Sequence, residues 1–262
     1  MKRLAIVIGC DFPKNHPNHL PGVSNDFLEI QKYLRSDFGG GWLSSEVVPL
    51  AYPTKGQLLH TLKSAENADL VWVYFSGHGF QWEGKTYIQI RPDENYSVRN
   101  LWVAAKRQVV LIDACRNDVI DDTIPFLGDI MDIFPTQHLQ LARHLFANLL
   151  AASPQGRILF QSSRSGQSSL DTPAGGLFTK TVLSHIKSWG WGEKQLSTTF
   201  DSFARKLPDI LSIGSDFQNP QIKYSSVSAL QIPLAVNPRL IANQATQKQS
   251  LSRPTTGNFW RF

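Results

Sequence analysis

Cysteine and long apolar runs are both scarce in this sequence, and each shortage excludes a class of protein. Two cysteines, Cys10 and Cys115, cannot build a disulfide framework, and no C-x-x-C pair is present to hold structural zinc. The longest apolar stretches, such as Leu70 to Phe75, span about six residues against the ~20 that a membrane helix needs. The apolar segment after Met1-Lys2-Arg3 is too short for a secretory leader. The chain is therefore expected in the cytoplasm, with reduced thiols and no membrane partner. It has no G-x-S-x-G elbow, no G-x-G-x-x-G fingerprint and no phosphate-cradling P-loop, which argues against a serine α/β hydrolase and a nucleotide-binding fold.

Charge is thin as well, at 18% of residues, with a net +5. Residues 233–262 hold Arg239, Lys248, Arg253 and Arg261 and no acid, so they carry most of that excess. The near-neutral remainder shows no basic stripe, and nucleic acid is not an expected partner. The 42% of apolar residues are enough for a packed core. The expectation is one α/β domain over 1–232 and a basic, flexible tail over 233–262 that ends in the aromatic tip Phe259-Trp260-Arg261-Phe262.

Strand-like runs alternate with helical periods along the body. Leu4 to Gly9, Glu46 to Leu50, Leu70 to Phe75, Val109 to Ile112 and Ile158 to Gln161 are short, apolar and rich in β-formers. Helices are predicted from Val23, Phe27, Ile30 and Leu34, with Asp26 and Glu29 as a cap, and from Leu58 and Leu62 behind the capping box Thr54-Lys-Gly-Gln57. Others are expected around Leu141, Leu145 and Leu149, over Leu177 to Trp189, and over Phe200 to Leu211. Glu83-Gly84 marks a hairpin tip, Ser163 to Gly176 a small-residue loop, and Val227 to Ile232 a strand closing the sheet. Alternation of this kind implies a parallel or mixed sheet covered on both faces.

Such sheets place ligands beyond the carboxyl ends of their strands. Two exits carry reactive residues, Ser76-Gly77-His78-Gly79 and Asp113-Ala114-Cys115-Arg116. If the two strands are neighbours, their backbones lie ~4.8 Å apart and an imidazole and a thiol can meet. A histidine beside a thiol can take its proton and later protonate a leaving amine, the requirement for a cysteine hydrolase. The N–H groups of Gly79 and Cys115 are then candidate oxyanion donors. Cys10 also follows a strand and is a rival nucleophile, though without a glycine-flanked histidine nearby in sequence.

Tyr74-Phe-Ser-Gly-His78-Gly79 and Leu111-Ile-Asp-Ala-Cys115-Arg116 resemble the dyad blocks of caspase-like cysteine peptidases, on the metacaspase, paracaspase and bacterial orthocaspase side. Leu20 to Asp26 and Gly175 to Thr179 add weaker likeness. The resemblance implies an α/β, caspase-like three-layer sandwich with a six-stranded, mainly parallel sheet flanked by helices. It also implies His78 as general base and acid and Cys115 as nucleophile. Animal caspases have Gln two residues before the cysteine and Gly two after, where this chain has Asp113 and Asn117. The spacing of 37 residues from His78 to Cys115 is shorter than the ~50 usual for caspases.

In metacaspases, similarly placed acids line the pocket for the residue before the cut bond; the matching positions are Asp113 and Asp26, with Ser76 beside them. Two carboxylates suit a guanidinium best, so the resemblance implies cleavage after Arg or Lys in a protein or peptide substrate. It further implies a role in regulated cell death, signalling or defence, and a separate activator, self-cleavage or an ion to start activity. No cofactor or resident metal is expected, although the acids at 118, 121, 122, 129 and 132 could bind calcium. Arg143, Arg157 and Arg164 lie where related enzymes are cut during maturation. The rival reading is a catalytically silent caspase-like scaffold.

Overall fold

A computed structural model describes residues 1–114, 134–211 and 218–243, with backbone alone at 208–211. Cys115, the acidic stretch 118–132 and residues 244–262 lie outside the described residues. The chain opens with β1 (Arg3–Cys10), α1 (Val23–Arg35), β2 (Val47–Ala51), α2 (Lys55–Ser64) and β3 (Leu70–Gly77). Three short strands follow, β4 (Gly79–Trp82), β5 (Lys85–Arg91) and β6 (Glu94–Ser97), and then β7 (Arg107–Asp113). The second half runs α3 (Leu139–Ala152), β8 (Gly156–Gln161), α4 (Leu177–Gly192), β9 (Ser197–Thr199), α5 (Phe200–Leu211), β10 (Gln221–Tyr224) and β11 (Pro233–Val236).

Among the described residues, six strands form the main sheet in the order β10-β8-β7-β3-β1-β2, all parallel to their neighbours except β10. Every residue of β3 and β7 is buried, which is why their sequences read as unbroken apolar runs rather than alternating ones. The pleat divides them between two cores. Trp72, Tyr74, Val109 and Leu111 pack with α1, α3, α4 and α5, whereas Val71, Val73, Phe75, Val110 and Ile112 face α2 and the hairpins. Each large side chain so buried stabilises the fold by about 1.5–3 kcal/mol. Four helices, joined by the β9-β11 pair and the turn before β11, thus cover one face, while α2 shares the other with the β4-β5-β6 sheet.

Local signals behave as their chemistry requires. Thr54 accepts from the Gln57 N–H at 3.2 Å while the Gln57 side chain accepts from the Thr54 N–H at 2.9 Å, closing the expected capping box. Glu83 and Gly84 take positive φ values of 47° and 70° at the β4-β5 tip, as a type I′ hairpin turn demands.

Three expectations are corrected. Asp26 does not cap α1: the helix begins three residues earlier behind Gly22, so Asp26 falls on the buried stripe with Val23, Ile30 and Leu34. Val227 to Ile232 does not close the sheet, because 227–231 is a 3-10 turn with Val227 exposed. The closing strand is β10, whose mixed sequence Gln-Ile-Lys-Tyr carries little apolar signal because it sits at an edge. The packed body also runs past residue 232. Pro233 to Val236 is buried and pairs with β9, the Tyr33 hydroxyl donates to the Leu234 carbonyl, and Asn237 Nδ2 donates to the Gly190 carbonyl at 2.8 Å.

Candidate active site

Strands β3 and β7 are adjacent and parallel, in a register that pairs Ser76 with Asp113. His78 lies two residues beyond Ser76, and Cys115 stands at the equivalent step beyond Asp113 in sequence. Gly77 makes the turn into His78: its φ is +152°, and a Cβ there would lie 2.2 Å from the Cys10 carbonyl oxygen. The other exit is anchored up to Ala114, whose N–H donates to Ser162 Oγ at 3.1 Å while the same hydroxyl donates to the Ala114 carbonyl.

His78 is half-buried and held by its far nitrogen. Nε2 lies 2.6 Å from the Asn18 carbonyl oxygen. A carbonyl can only accept, so Nε2 carries the proton and, in the neutral ring, Nδ1 is the free base. Burial lowers the His78 pKa from its ordinary value, with the Asn18 hydrogen bond opposing. The Phe12 ring meets the imidazole edge-on at 5.0 Å. The segment carrying Phe12 and Asn18 is folded by Asp11, whose Oδ1 accepts from the N–H groups of Phe12 and Leu20, both at 2.6 Å.

Below the two exits lies an acidic pocket. Asp26 Oδ2 accepts from Ser76 Oγ at 2.8 Å, and its carboxylate also accepts from the Gly176 N–H. Asp113 accepts from Ser169 Oγ at 2.6 Å and, through Oδ2, from the hydroxyl and N–H of Thr179 at 2.7 and 3.0 Å. Sequence reasoning named Asp26, Ser76 and Asp113, and all three line one cavity, which Asp171 joins as a third carboxylate. Burial raises the pKa of Asp113, and burial together with the field of Asp113 raises that of Asp26 well above the usual range. Asp171 is pushed up to about 7, chiefly by burial and then by the fields of Asp113 and Asp11. No Lys or Arg pairs with the three among the described residues. The cavity measures about 20 Å³, room for one water.

The caspase-domain peptidase model matches residues 2–231. The chain belongs to the caspase-domain family of peptidases. Caspase-1 from Spodoptera frugiperda shares the fold with a TM-score of 0.55 and 15% identity, over 85% of this chain and 88% of its own. A protein from Geobacter sulfurreducens does so with a TM-score of 0.58 and 18% identity, over 90% and 100%. No curated protein matches the sequence.

In this caspase domain, Cys10 is no rival nucleophile. It is 3% exposed within the second core, and burial pushes its thiol up to about 12. Two of the three arginines singled out for maturation are engaged: Arg143 grips Glu46 through both terminal nitrogens, and Arg157 lies in β8 with its guanidinium 5.6 Å from the Trp102 ring. Arg164 is exposed in the loop after β8. The acids considered for calcium fall outside the described residues. Among the described residues no helix is long and apolar enough to cross a membrane.

Proposed function

We propose that this caspase domain is a cytoplasmic cysteine endopeptidase that cuts after Arg or Lys, with Cys115 and His78 as its dyad. The observation that carries the reading is the parallel β3-β7 register, which pairs Ser76 with Asp113, the residues two positions before His78 and Cys115 in sequence. The Cys115 thiol passes its proton to His78 Nδ1, and the thiolate attacks the peptide carbonyl carbon. The oxyanion is held by the N–H groups of Gly79 and Cys115. His78 then protonates the leaving amine nitrogen, the C–N bond breaks, and a thioester remains. A water gives its proton to Nδ1 and attacks the thioester; the C–S bond breaks and the acid product leaves.

The carboxylates of Asp26, Asp113 and Asp171, which meet no cation among the described residues, support the basic preference, since a guanidinium would stabilise the charged form of groups whose pKa burial raises, helped at Asp26 and Asp171 by the field of Asp113. A cavity with room for one water does not admit such a side chain as it stands. That supports a separate activation step, in which Ser169 and Thr179 release Asp113, triggered by a partner, by self-cleavage or by an ion. A role in regulated cell death, signalling or defence fits a protease gated in this way.

The test is a panel of peptides that differ only before the cut bond (Arg, Lys, Asp, Leu, Asn), with wild type and Cys115→Ala, with and without calcium. Turnover confined to Arg and Lys peptides and lost in the variant is expected. Turnover surviving in Cys115→Ala removes the nucleophile, and preference for Asp or Leu removes the acidic-pocket argument.

A further inference from the structure

On the sheet face that β8 shares with α2 and the hairpins, the covering layer stops short of β10 and leaves a groove of about 350 Å³. Arg157, Leu159 and Gln161 alternate onto this face, and Lys223 of β10 pairs opposite Leu159. Lys85, Arg99, Arg157 and Lys223 line the groove together with Trp102, whose ring packs on this face, and no carboxylate does. Elsewhere Arg3, Lys32, Lys106, Arg143 and Arg205 each meet an acid, whereas these four pair with none among the described residues. Four cations around one concavity form a local field that chain-wide charge arithmetic averages away.

A second observation concerns the groove's inner end. Gln161 is 1% exposed; its Nε2 donates to Thr86 Oγ1 at 3.2 Å, but its Oε1 has no partner. A buried acceptor left unmet is costly, and a ligand bringing an N–H or O–H would satisfy it. The site thus asks for several negative charges, a flat surface to lie against the half-buried Trp102 ring, and a hydrogen-bond donor. Inorganic phosphate lacks the flat ring, and an acidic peptide lacks the ring and the compactness. The volume suits a small molecule.

We infer that this groove binds a nucleotide, its phosphates among Lys85, Arg99, Arg157 and Lys223 and its base toward Trp102 and Gln161. None of these residues belongs to the carboxylate pocket, so the inference stands apart from the peptidase reading.

The experiment is calorimetric titration of the full chain, in EDTA, with each of the four common nucleoside triphosphates, with pyrophosphate and with hexaglutamate. At least one nucleotide is expected to saturate one site with a dissociation constant below about 1 mM, with pyrophosphate and hexaglutamate about tenfold weaker or worse. The double variant R99E/K223E should lose about tenfold in nucleotide affinity, and the control K63E on α2 should lose none. Should the double variant melt early, Lys223→Ala alone should still weaken binding by about threefold. Failure of every nucleotide to saturate by about 5 mM overturns the assignment. So does equal binding of pyrophosphate or hexaglutamate, or undiminished affinity in the folded variants.

Discussion

The carboxylates of Asp26 and Asp113 converge on the place where a side chain of Gly176 would stand. The Gly176 N–H donates to Asp26 at 3.0 Å, and a Cβ on Gly176 would sit 2.4 Å from Asp113 Oδ2 and 3.0 Å from Asp26 Oδ2. The pocket's charge therefore depends on one residue having no side chain. Gly176→Ala should push the carboxylates apart, lower the thermal midpoint by roughly 5 °C or more, and cut kcat/KM for an Arg peptide by about a hundredfold. An alanine variant with wild-type melting and turnover would contradict this geometry.

Asp171 should write a pH dependence of its own. Its carboxyl is raised to about 7, so in the free enzyme it is neutral below that pH and negative above it. For an Arg or Lys peptide, kcat/KM should climb through pH ~7 in wild type, and Asp171→Asn should erase that limb. What remains is the limb of His78, whose lowered pKa places its loss of base strength below ~6.5. Stability runs the other way. Unfolded, Asp171 ionises near ~3.9, so as pH rises toward 7 the folded state holds a proton that the unfolded chain has released, and stability falls. Asp171→Asn should match wild type near pH 4 and melt a few degrees higher at pH ~8, as a calorimetric pH series would register.

Asp11 is a positioning residue. It touches no substrate, but by accepting from Phe12 and Leu20 it folds the segment that delivers the Asn18 carbonyl to His78. Asp11→Ala should lower kcat by about 10- to 100-fold with little change in KM. Nitrogen NMR should then show His78 losing its fixed Nε2–H tautomer. Asn18→Ala keeps the carbonyl and should keep kcat within about twofold. If Asp11→Ala changes melting while leaving kcat and tautomer intact, its role is structural only.

Thiol labelling separates the two cysteines. Cys10 is buried and its thiol is raised to about 12, so folded protein treated with iodoacetamide at pH ~8 should carry label at Cys115 alone. Cys10→Ala should stay active and lose about 1–2 kcal/mol of stability. Peptide mapping that finds Cys10 alkylated before unfolding would remove it from the core.

Legibility followed burial. β3 and β7 could be read directly because both faces of each are covered, which leaves no polar residue to break the run, and their exits framed the site at once. The Thr54-Gln57 box and the Glu83-Gly84 turn were equally plain, since backbone geometry there depends on residue type. β10 escapes a reading by apolar runs because edge pairing needs hydrogen bonds more than apolar side chains, whereas β11 is buried and apolar but only four residues long and opens a polar, acid-free stretch. Asp26 was half seen: a carboxylate within the α1 stripe was itself the signal of a buried polar site, yet it also fitted a helix cap. Asn18 acts through its main chain and carries no residue signature. Asp171 sits in a small-residue loop where nothing local sets it apart, and Lys85, Arg99, Arg157 and Lys223 are too far apart in sequence to look like a patch.

The bond from Tyr33 to the Leu234 carbonyl spans 201 positions of sequence. On the ribosome, the first helix must wait for those 201 further positions to be made before its buried hydroxyl finds a mate, and the seam beside β9 stays open until then. A nascent caspase domain is thereby kept unfinished until β11 has emerged, and the cell meets the assembled body only after that point.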